Sequence, residues 1–290
     1  MIRIAASLGA VLLLAILFGM RSSDLVEADP IRLAWLAAEA AAQVEAADAA
    51  LAAAEAVMRD ATDEARRGQA AVLGGPNDPA DALEAAAAGF ESAATPLAEA
   101  NASLALLGWT LRAIDSEATP PEVGIESTDM AAIGAQWRAA APPCATLAGL
   151  RFDAEATLEA LDDGLAALDA DEPAAALDAI EVASAHLDQV REFTDSLATL
   201  GFWVDTVDAL IAAARDIALA VQAGDPAALA EAQAAYDAAA ADAGRADQAL
   251  AIALGEAAVA ATAPASTSSA EALRAVIAAR DQLAGLSILR

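Results

Sequence analysis

The chain has 290 residues, 92 of them alanine, with 44 acidic residues against 15 basic ones. The formal net charge of −29 repels phosphate backbones and anionic headgroups, which excludes nucleic-acid binding. Alanine is the best helix former but buries little area per side chain, so the composition predicts an all-α protein with closely packed helices.

The first predicted element is a hydrophobic helix over residues 4–20, which carries no charge and is bounded by Arg3 and Arg21. Its 17 residues are at the lower limit for a membrane-spanning helix and slightly longer than a secretory signal core. We therefore predict an uncleaved transmembrane signal anchor, with residues 1–28 as anchor and flank. The alternative is secretion after cleavage near Ala28, which small residues permit.

The short positive N-terminal flank predicts that the N-terminus lies inside and that the body lies outside the cytoplasm, in a periplasmic or extracellular space. Among later segments, residues 197–221 are the most apolar, but they contain three aspartates and one arginine, whose insertion would be costly. We therefore expect the chain to contact the membrane through residues 4–20 and to have no second span.

Acidic residues followed by proline mark the starts of the predicted helices. Aspartate accepts a backbone N–H that the first helical turn leaves unpaired, and proline lacks an N–H that this turn could not use. The pairs are Asp29-Pro30, Asp78-Pro79 and Asp225-Pro226, with Glu172-Pro173 as a weaker fourth.

The first predicted helix of the body covers residues 30–67 and carries two seven-residue ladders, as in a coiled coil. The bulkier ladder is Ala37, Val44, Leu51, Met58 and Ala65, and the smaller one is Ala40, Ala47, Ala54, Ala61 and Gly68. Small residues let helix backbones approach, so the pattern predicts antiparallel neighbours.

The second predicted helix begins at Pro79 and carries Leu83, Phe90, Leu97, Leu104 and Leu111 at the same spacing. Pro96 should kink this helix, because it removes one backbone hydrogen bond and crowds the preceding turn.

Four further helices are expected in the rest of the chain. A short helix over 128–140 should end at Pro142-Pro143, after which the apolar pattern resumes. The others are predicted over 173–222, 226–261 and 270–285, with a loop over 262–271 that ends in a capping box. The prediction is an elongated bundle of about six helices in antiparallel hairpins.

An internal repeat organises this bundle. "SLALLGWTLRAID" at residues 103–115 returns as "SLATLGFWVDTVD" at residues 196–208, which are 93 residues further on. The repeat predicts helical hairpins over residues 29–122 and 123–223, followed by a C-terminal hairpin over residues 224–290.

Both copies contain a glycine followed by an aromatic residue, with an aspartate two turns later. One interpretation is a close helix crossing at each glycine, with the aromatic ring filling the space beside it. The other is a ligand groove in the repeated hairpins. Its candidate residues are Trp109, Asp115, Phe202, Trp203 and Asp208.

The residues that most often carry catalysis are scarce. His186 is the only histidine, Cys144 is the only cysteine, and "LGGPNDP" lacks the lysine and hydroxyl residue of a phosphate-binding loop. The acidic cluster at residues 162–172 lacks the alternating oxygens of a calcium loop. We therefore expect no enzyme activity, no cofactor and no metal site.

These features favour a non-enzymatic, membrane-anchored scaffold or interaction protein, such as an accessory subunit of a membrane complex. Protein partners are expected, and alanine-rich seams also allow a homo-oligomer. The alternative is a single-span sensor or solute-binding bundle that holds a small or cationic molecule between its helices.

Overall fold

A computed structural model describes residues 30–197 and 199–287. The anchor predicted over residues 4–20 and the cleavage site near Ala28 lie outside these residues. The described chain is all-α, as the composition predicts, and no strand occurs in it.

Seven α-helices account for most of the described residues. They are α1 (Pro30–Val72), α2 (Pro79–Ser92), α3 (Ala94–Ile114), α4 (Ser127–Asp169), α5 (Pro173–Arg191), α6 (Leu200–Ala223) and α7 (Pro226–Ser287). Only Ala93 separates α2 from α3, which places the predicted kink three residues before Pro96. Counted as one kinked helix, α2 and α3 make the total six.

The chain forms two compact units, and each is built from separated stretches. Unit 1 comprises Met1–Ala65, Glu84–Arg138 and Pro264–Arg290, and unit 2 comprises Arg66–Leu83 and Ala139–Ala263. The unit boundaries fall inside α1, α2, α4 and α7. The hairpins predicted over residues 29–122, 123–223 and 224–290 are contiguous, and as domains they stay predictions.

In unit 1, α1 runs antiparallel to the kinked pair α2–α3. A methyl group at Gly89 of α2 would approach the Cβ atom of Ala61 to 2.7 Å, so the two backbones are in close contact. Further along, the Thr110 hydroxyl of α3 donates a hydrogen bond of 2.8 Å to the Gln43 Oε1 atom of α1. Gly89 contacts Ala61, and the later residue Thr110 contacts the earlier residue Gln43. The two chain segments therefore run in opposite directions.

The remaining helices of unit 1 are held by polar contacts within and beside an apolar core. The buried Trp137 of α4 donates a hydrogen bond of 2.9 Å from Nε1 to the Oγ atom of Ser269 on α7. Arg280 of α7 pairs with both Asp48 and Glu55 of α1. The main core side chains of this unit are Leu51, Met58, Phe90, Leu97, Leu107, Leu111, Met130 and Trp137.

In unit 2, α5 and α6 pack against each other as a hairpin. Arg191 at the end of α5 donates a hydrogen bond of 2.9 Å to Asp208 of α6. The C-terminal part of α4 packs closely on α5, because a methyl group at Gly164 would meet the Ile180 side chain at 3.0 Å.

The ladders of the first two predicted helices lie in the core. Val44, Leu51, Met58 and Ala65 are buried, and so is the whole small ladder from Ala40 to Gly68. The predicted caps are also confirmed at two described helix starts: Asp78 Oδ1 accepts a hydrogen bond from the Ala80 N–H at 2.7 Å, and Asp225 Oδ1 accepts one from the Ala227 N–H at 3.0 Å.

The predicted end of a short helix at Pro142-Pro143 is wrong. Helix α4 continues through both prolines for 43 residues. The buried residues Ala140, Ala141, Cys144 and Leu147 keep a helical spacing across this point. Their burial outweighs the lost backbone hydrogen bonds, and the Thr146 hydroxyl donates to the Pro142 carbonyl.

The single helix predicted over residues 173–222 is also wrong, because the chain turns between α5 and α6. The turn contains Thr194, Asp195 and Ser196, whose short polar side chains compete with helical hydrogen bonds. The Thr194 hydroxyl donates to the Arg191 carbonyl at 2.8 Å, and the Thr194 N–H donates to the same carbonyl.

The loop predicted over residues 262–271 is helical. Helix α7 runs unbroken for 62 residues with Pro264 inside it, so the break predicted between the helices over 226–261 and 270–285 is wrong. Within this stretch the side chains of Thr262 and Ser269 are buried, and both are hydrogen-bonded to other helices. Hydrogen bonds to other helices therefore keep this polar stretch helical, although its amino-acid composition disfavours a helix.

Among the residues that the structure describes, one helix is apolar and long enough to cross a membrane, judged by length and composition alone. It is Pro226–Leu286, with a mean hydropathy of 1.4 in its most apolar window, of which 28% is buried. Residues 197–221, the later segment that the sequence analysis considered, do not include this helix.

Candidate interaction surfaces

The five residues predicted as a ligand or packing site fall in different compact units. Trp109 and Asp115 belong to unit 1, whereas Phe202, Trp203 and Asp208 belong to unit 2. Each group is therefore considered within its own unit.

In unit 1, Trp109 is 75% exposed on α3. Asp115 follows the last residue of α3, and its N–H donates to the Leu111 carbonyl at 2.8 Å. Its Oδ1 atom accepts a hydrogen bond from the Glu117 N–H at 3.0 Å. Asp115 therefore ends a helix and orders the turn after it, while Trp109 faces solvent.

In unit 2, Trp203 is fully buried and donates a hydrogen bond of 3.2 Å from Nε1 to Asp247 of α7. Phe202 is partly exposed, and Asp208 pairs with Arg191. Trp203 is thus a packing residue that joins α6 to α7.

The two copies of the predicted repeat have different surroundings. Residues 103–115 run to the C-terminal end of α3, whereas residues 196–208 include the turn before α6 and its first half. A methyl group at Gly108 would meet Pro120 at 2.9 Å, but nothing lies within 4 Å of one at Gly201. The 93-residue repeat stays a prediction from the sequence.

Unit 1 carries an exposed apolar surface, which we call the tryptophan face. Its large members are Ile31 and Trp35 of α1 with Leu106 and Trp109 of α3, exposed by 79%, 63%, 57% and 75%. Exposed alanines lie on the same sides of these two helices: Ala38, Ala42, Ala46, Ala102 and Ala113.

The two tryptophans point to the same side of unit 1. Gln43 and Thr110 face each other across the α1–α3 contact. At about 100° per residue, Trp35 lies about 80° around α1 from Gln43, and Trp109 lies about 100° around α3 from Thr110, both in the N-terminal direction. Because the helices are antiparallel, these rotations carry both rings to one side of the plane that contains the two axes.

Unit 2 carries a second apolar surface along α7, which we call the α7 strip. Ile252 and Val259 are 46% and 63% exposed, and a spacing of seven residues places them on one side of the helix. Glu256 lies exposed between them, and Ala263 continues the strip. Between Asp247 and Glu271 the only charged residue is Glu256.

Two cavities in unit 1 are large enough for a small molecule. One of about 780 Å³ lies between α3 and the loop that leads to α4, and its lining includes Asn101, Gly108, Arg112 and Pro120. The other, of about 300 Å³, lies between α4 and α7. Its polar lining residues are Asp129, Gln136, Ser268 and Glu271.

His186 is half-buried on α5, and its Nδ1 atom lies 3.2 Å from Asp153 Oδ1 of α4. Cys144 is buried and has a free thiol, whose pKa is raised by desolvation. Within the described ranges, no three His, Cys, Asp or Glu side chains are grouped so that they could hold a metal ion.

An exposed ion pair links α2 to α4 in unit 1. Arg138 donates to both carboxylate oxygens of Glu91, with a distance of 2.6 Å from Nη2 to Oε2. These hydrogen bonds hold the pKa of Glu91 below its usual value, and Glu91 raises the pKa of Arg138.

Sequence analysis singled out Trp109 but missed Trp35, Ile252 and Val259. The spacing of seven between Ile252 and Val259 was available as a signal, but spacing alone does not tell which side of an alanine-rich helix is buried. For Trp35 the sequence carries no distinguishing signal. A tryptophan next to Leu36, which is a core residue, would be expected to belong to the core as well.

Comparison with protein-family models finds no match for this chain, and comparisons with curated proteins and with solved structures find none either.

Proposed function

We propose that this protein is a non-enzymatic, membrane-anchored scaffold or interaction protein whose helical body lies outside the cytoplasm. Residues 4–20 would be its transmembrane anchor, and it would serve as an accessory subunit of a membrane complex. Paired helical hairpins that arose by duplication would suit such a role, because repeats present extended binding surfaces.

The observation that carries this proposal is the α7 strip. Ile252 and Val259 are large aliphatic side chains that leave apolar area in water in the described chain. Two such residues seven apart, with an exposed alanine at Ala263, have the spacing of a seam that a partner helix covers. An exposed apolar surface of this kind is typical of a protein-binding site.

Polar contacts of α7 favour this role over a second membrane span. Asp247 accepts a hydrogen bond from Trp203, Thr262 accepts one from Gln69, and Arg280 pairs with two carboxylates. Charged and hydrogen-bonded side chains of this kind are costly in a bilayer, but they are ordinary where a helix packs on protein.

The proposal is tested by crosslinking the full chain in its native membranes. Every basic residue is an arginine, so a carboxylate-directed crosslinker is needed, and Glu256 within the strip is its reporter. We expect a stoichiometric partner crosslinked at Glu256, and its recovery should fall at least tenfold in I252R/V259R. Val182 is 51% exposed on α5, so V182R is the matched control and should leave recovery unchanged.

The scaffold proposal fails if Glu256 forms no crosslink to another chain. It also fails if I252R/V259R recovers the same partner as the unmodified protein. Extraction of the chain from membranes by alkaline carbonate would separately contradict the anchor.

A second candidate function is binding of a small cationic molecule, and the smaller cavity of unit 1 favours it. Asp129 and Glu271 supply carboxylates there, and the buried Oε1 atom of Gln136 accepts no hydrogen bond from the described chain. An ammonium or guanidinium group could satisfy these acceptors.

This candidate is tested by the thermal midpoint of the full chain with a panel of amines and guanidines. We expect a stabilising ligand whose effect is lost in D129N/E271Q. The matched control is D81N, an exposed acidic residue of α2 away from the cavity lining. No shift with any compound would contradict the candidate.

A further inference from the structure

We infer that the tryptophan face rests on the phospholipid headgroup layer of the membrane in which the chain is anchored. This inference depends on the proposed membrane anchor. It assigns one occupant to a surface that the proposed scaffold role does not use, since the α7 strip lies in unit 2.

The first argument is the position of the face along the chain. The hydrophobic stretch ends at Met20, and α1 begins at Pro30, next to the exposed Ile31. The intervening nine residues reach at most about 30 Å when fully extended. Because α3 is antiparallel to α1, its C-terminal part, with Trp109, lies beside the N-terminal part of α1. Both exposed tryptophans are therefore at the end of unit 1 that is joined to the anchor.

The second argument is the residue type. Tryptophan combines a large apolar ring with one N–H donor, and it is enriched where hydrocarbon meets headgroups. The chain has four tryptophans. Trp137 and Trp203 are buried, and their Nε1 atoms donate to Ser269 and Asp247.

The third argument is charge. Among the described arginines of unit 1, Arg59, Arg138 and Arg280 pair with carboxylates, and Arg274 donates to a backbone carbonyl. Arg32 and Arg112 are exposed and form no hydrogen bond or ion pair with any described residue.

The positions of these two arginines match the tryptophans. Arg32 lies three residues before Trp35, and Arg112 lies three residues after Trp109, so each shares a helix side with one ring. A guanidinium group binds phosphate oxygens in a bidentate manner, and a phospholipid offers a phosphate just above the level at which tryptophan rings lie.

The net charge of −29 selects zwitterionic headgroups over anionic ones. The affinity of the face need not be high, since the anchor holds it at a large effective concentration beside the bilayer. The tryptophan face would thus fix how unit 1 stands on the membrane surface.

The test uses the full chain reconstituted in phosphatidylcholine vesicles, with and without phosphatidylcholine brominated near the headgroup end of its acyl chains. Bromine quenches only tryptophans that touch the lipid. We expect brominated lipid to remove up to half of the fluorescence, because two of the four tryptophans lie on the face. The variant W35F/W109F should lose this quenching, since its remaining tryptophans are buried.

Two controls keep the test specific. Ala278 is exposed on α7. Helix α7 contacts α1 at Asp48 and Glu55, which lie on the side of α1 away from Trp35. A tryptophan introduced by A278W into the W35F/W109F chain should not be quenched. R32Q/R112Q should lower the quenching of the natural tryptophans at least twofold, whereas R274Q should leave it unchanged. All these positions are exposed, and far-UV circular dichroism checks that each variant is folded.

The inference is overturned if the chain resists carbonate extraction but its fluorescence is the same in both kinds of vesicle. It is also overturned if W35F/W109F is quenched as strongly as the natural chain, if A278W introduces equal quenching, or if R32Q/R112Q has no effect. A concentration-dependent dimer that protects both tryptophans from quenching would identify a second copy as the occupant instead. If carbonate extracts the chain, the proposed membrane anchor is contradicted. That result can be distinguished from the outcomes that contradict only the tryptophan face.

Discussion

At the scale of single residues, the hydrogen bond between Trp137 and Ser269 is the clearest link between α4 and α7 in unit 1. Both side chains are almost fully buried. In S269A the indole N–H would stay buried without an acceptor, which should cost about 1–3 kcal/mol of unfolding free energy. Urea denaturation measures this loss.

The control for that change is T267A, at an exposed residue of the same helix. It should alter the unfolding free energy by less than about 0.5 kcal/mol. Equal stability of S269A and T267A would show that the indole N–H finds another acceptor.

The ion pair of Glu91 and Arg138 makes a pH-dependent contribution to the stability of the folded chain. The pKa of Glu91 is lower in the folded chain because Arg138 donates to its carboxylate. The stabilisation is therefore present above the unfolded-state pKa and is lost as the pH falls through the folded-state value. In R138Q the Glu91 carboxyl should titrate at higher pH, which carbon-13 NMR of the side chain measures.

R274Q is the matched control for this titration, because Arg274 bonds only the Ala270 carbonyl. An identical Glu91 titration in R138Q and in the natural chain would contradict the assigned cause of the shift.

At the scale of helices, the contact of α1 with α2 depends on two small residues. A methyl group at Gly89 would lie 2.7 Å from the Ala61 Cβ atom, and neither atom can move without its helix. G89A should therefore lower the unfolding free energy by about 1–3 kcal/mol through overpacking. Differential scanning calorimetry would detect the lower thermal midpoint.

Gly149 of α4 provides the opposite case, because nothing lies within 4 Å of an added methyl group. G149A should raise stability by about 0.5–1 kcal/mol, since alanine loses less backbone entropy in a helix. A destabilised G149A together with an unaffected G89A would contradict both the close contact at Gly89 and the open space at Gly149.

The differences between the predicted and the observed helices show which features can be predicted from the sequence. The ladders from Val44 to Ala65 and the caps at Asp78 and Asp225 depend on local pattern and local hydrogen bonds, and these were predictable. Pro143, Thr262 and Ser269 suggested breaks, yet they lie inside continuous helices because buried neighbours hold them there. Tertiary burial decides such cases, and one sequence does not reveal it.

The candidate surfaces were less predictable for the same reason. In the predicted repeat Trp109 aligns with Phe202 and Trp203 aligns with Thr110, so two tryptophans one place apart differ: Trp109 is exposed and Trp203 is fully buried. Which side of an alanine-rich helix faces solvent depends on its neighbours, because alanine itself is indifferent to both environments. Trp35 could be recognised only once α3 was placed beside α1.

At the scale of the whole molecule, the acidic excess should make stability depend on salt. With a net charge of −29, like charges repel across the folded surface. The Debye length falls from about 30 Å at 0.01 M salt to about 8 Å at 0.15 M, which screens most of that repulsion. The thermal midpoint should therefore rise with sodium chloride over this range.

Sucrose at equal osmolality is the control that separates screening from preferential exclusion. A thermal midpoint that is constant in sodium chloride would show that the carboxylates are already well separated or paired.

The division of α7 between the two units has a consequence for biosynthesis. Asp48 and Glu55 are made early, but their partner Arg280 lies near the C-terminus. A ribosome therefore finishes every residue of unit 2 before it adds the helix segment that completes unit 1. If the body is exported starting from the end next to the anchor, α1 remains without that segment through nearly the whole of translocation. Any chain released before Pro264 leaves the earlier unit incomplete while the later one has all its residues.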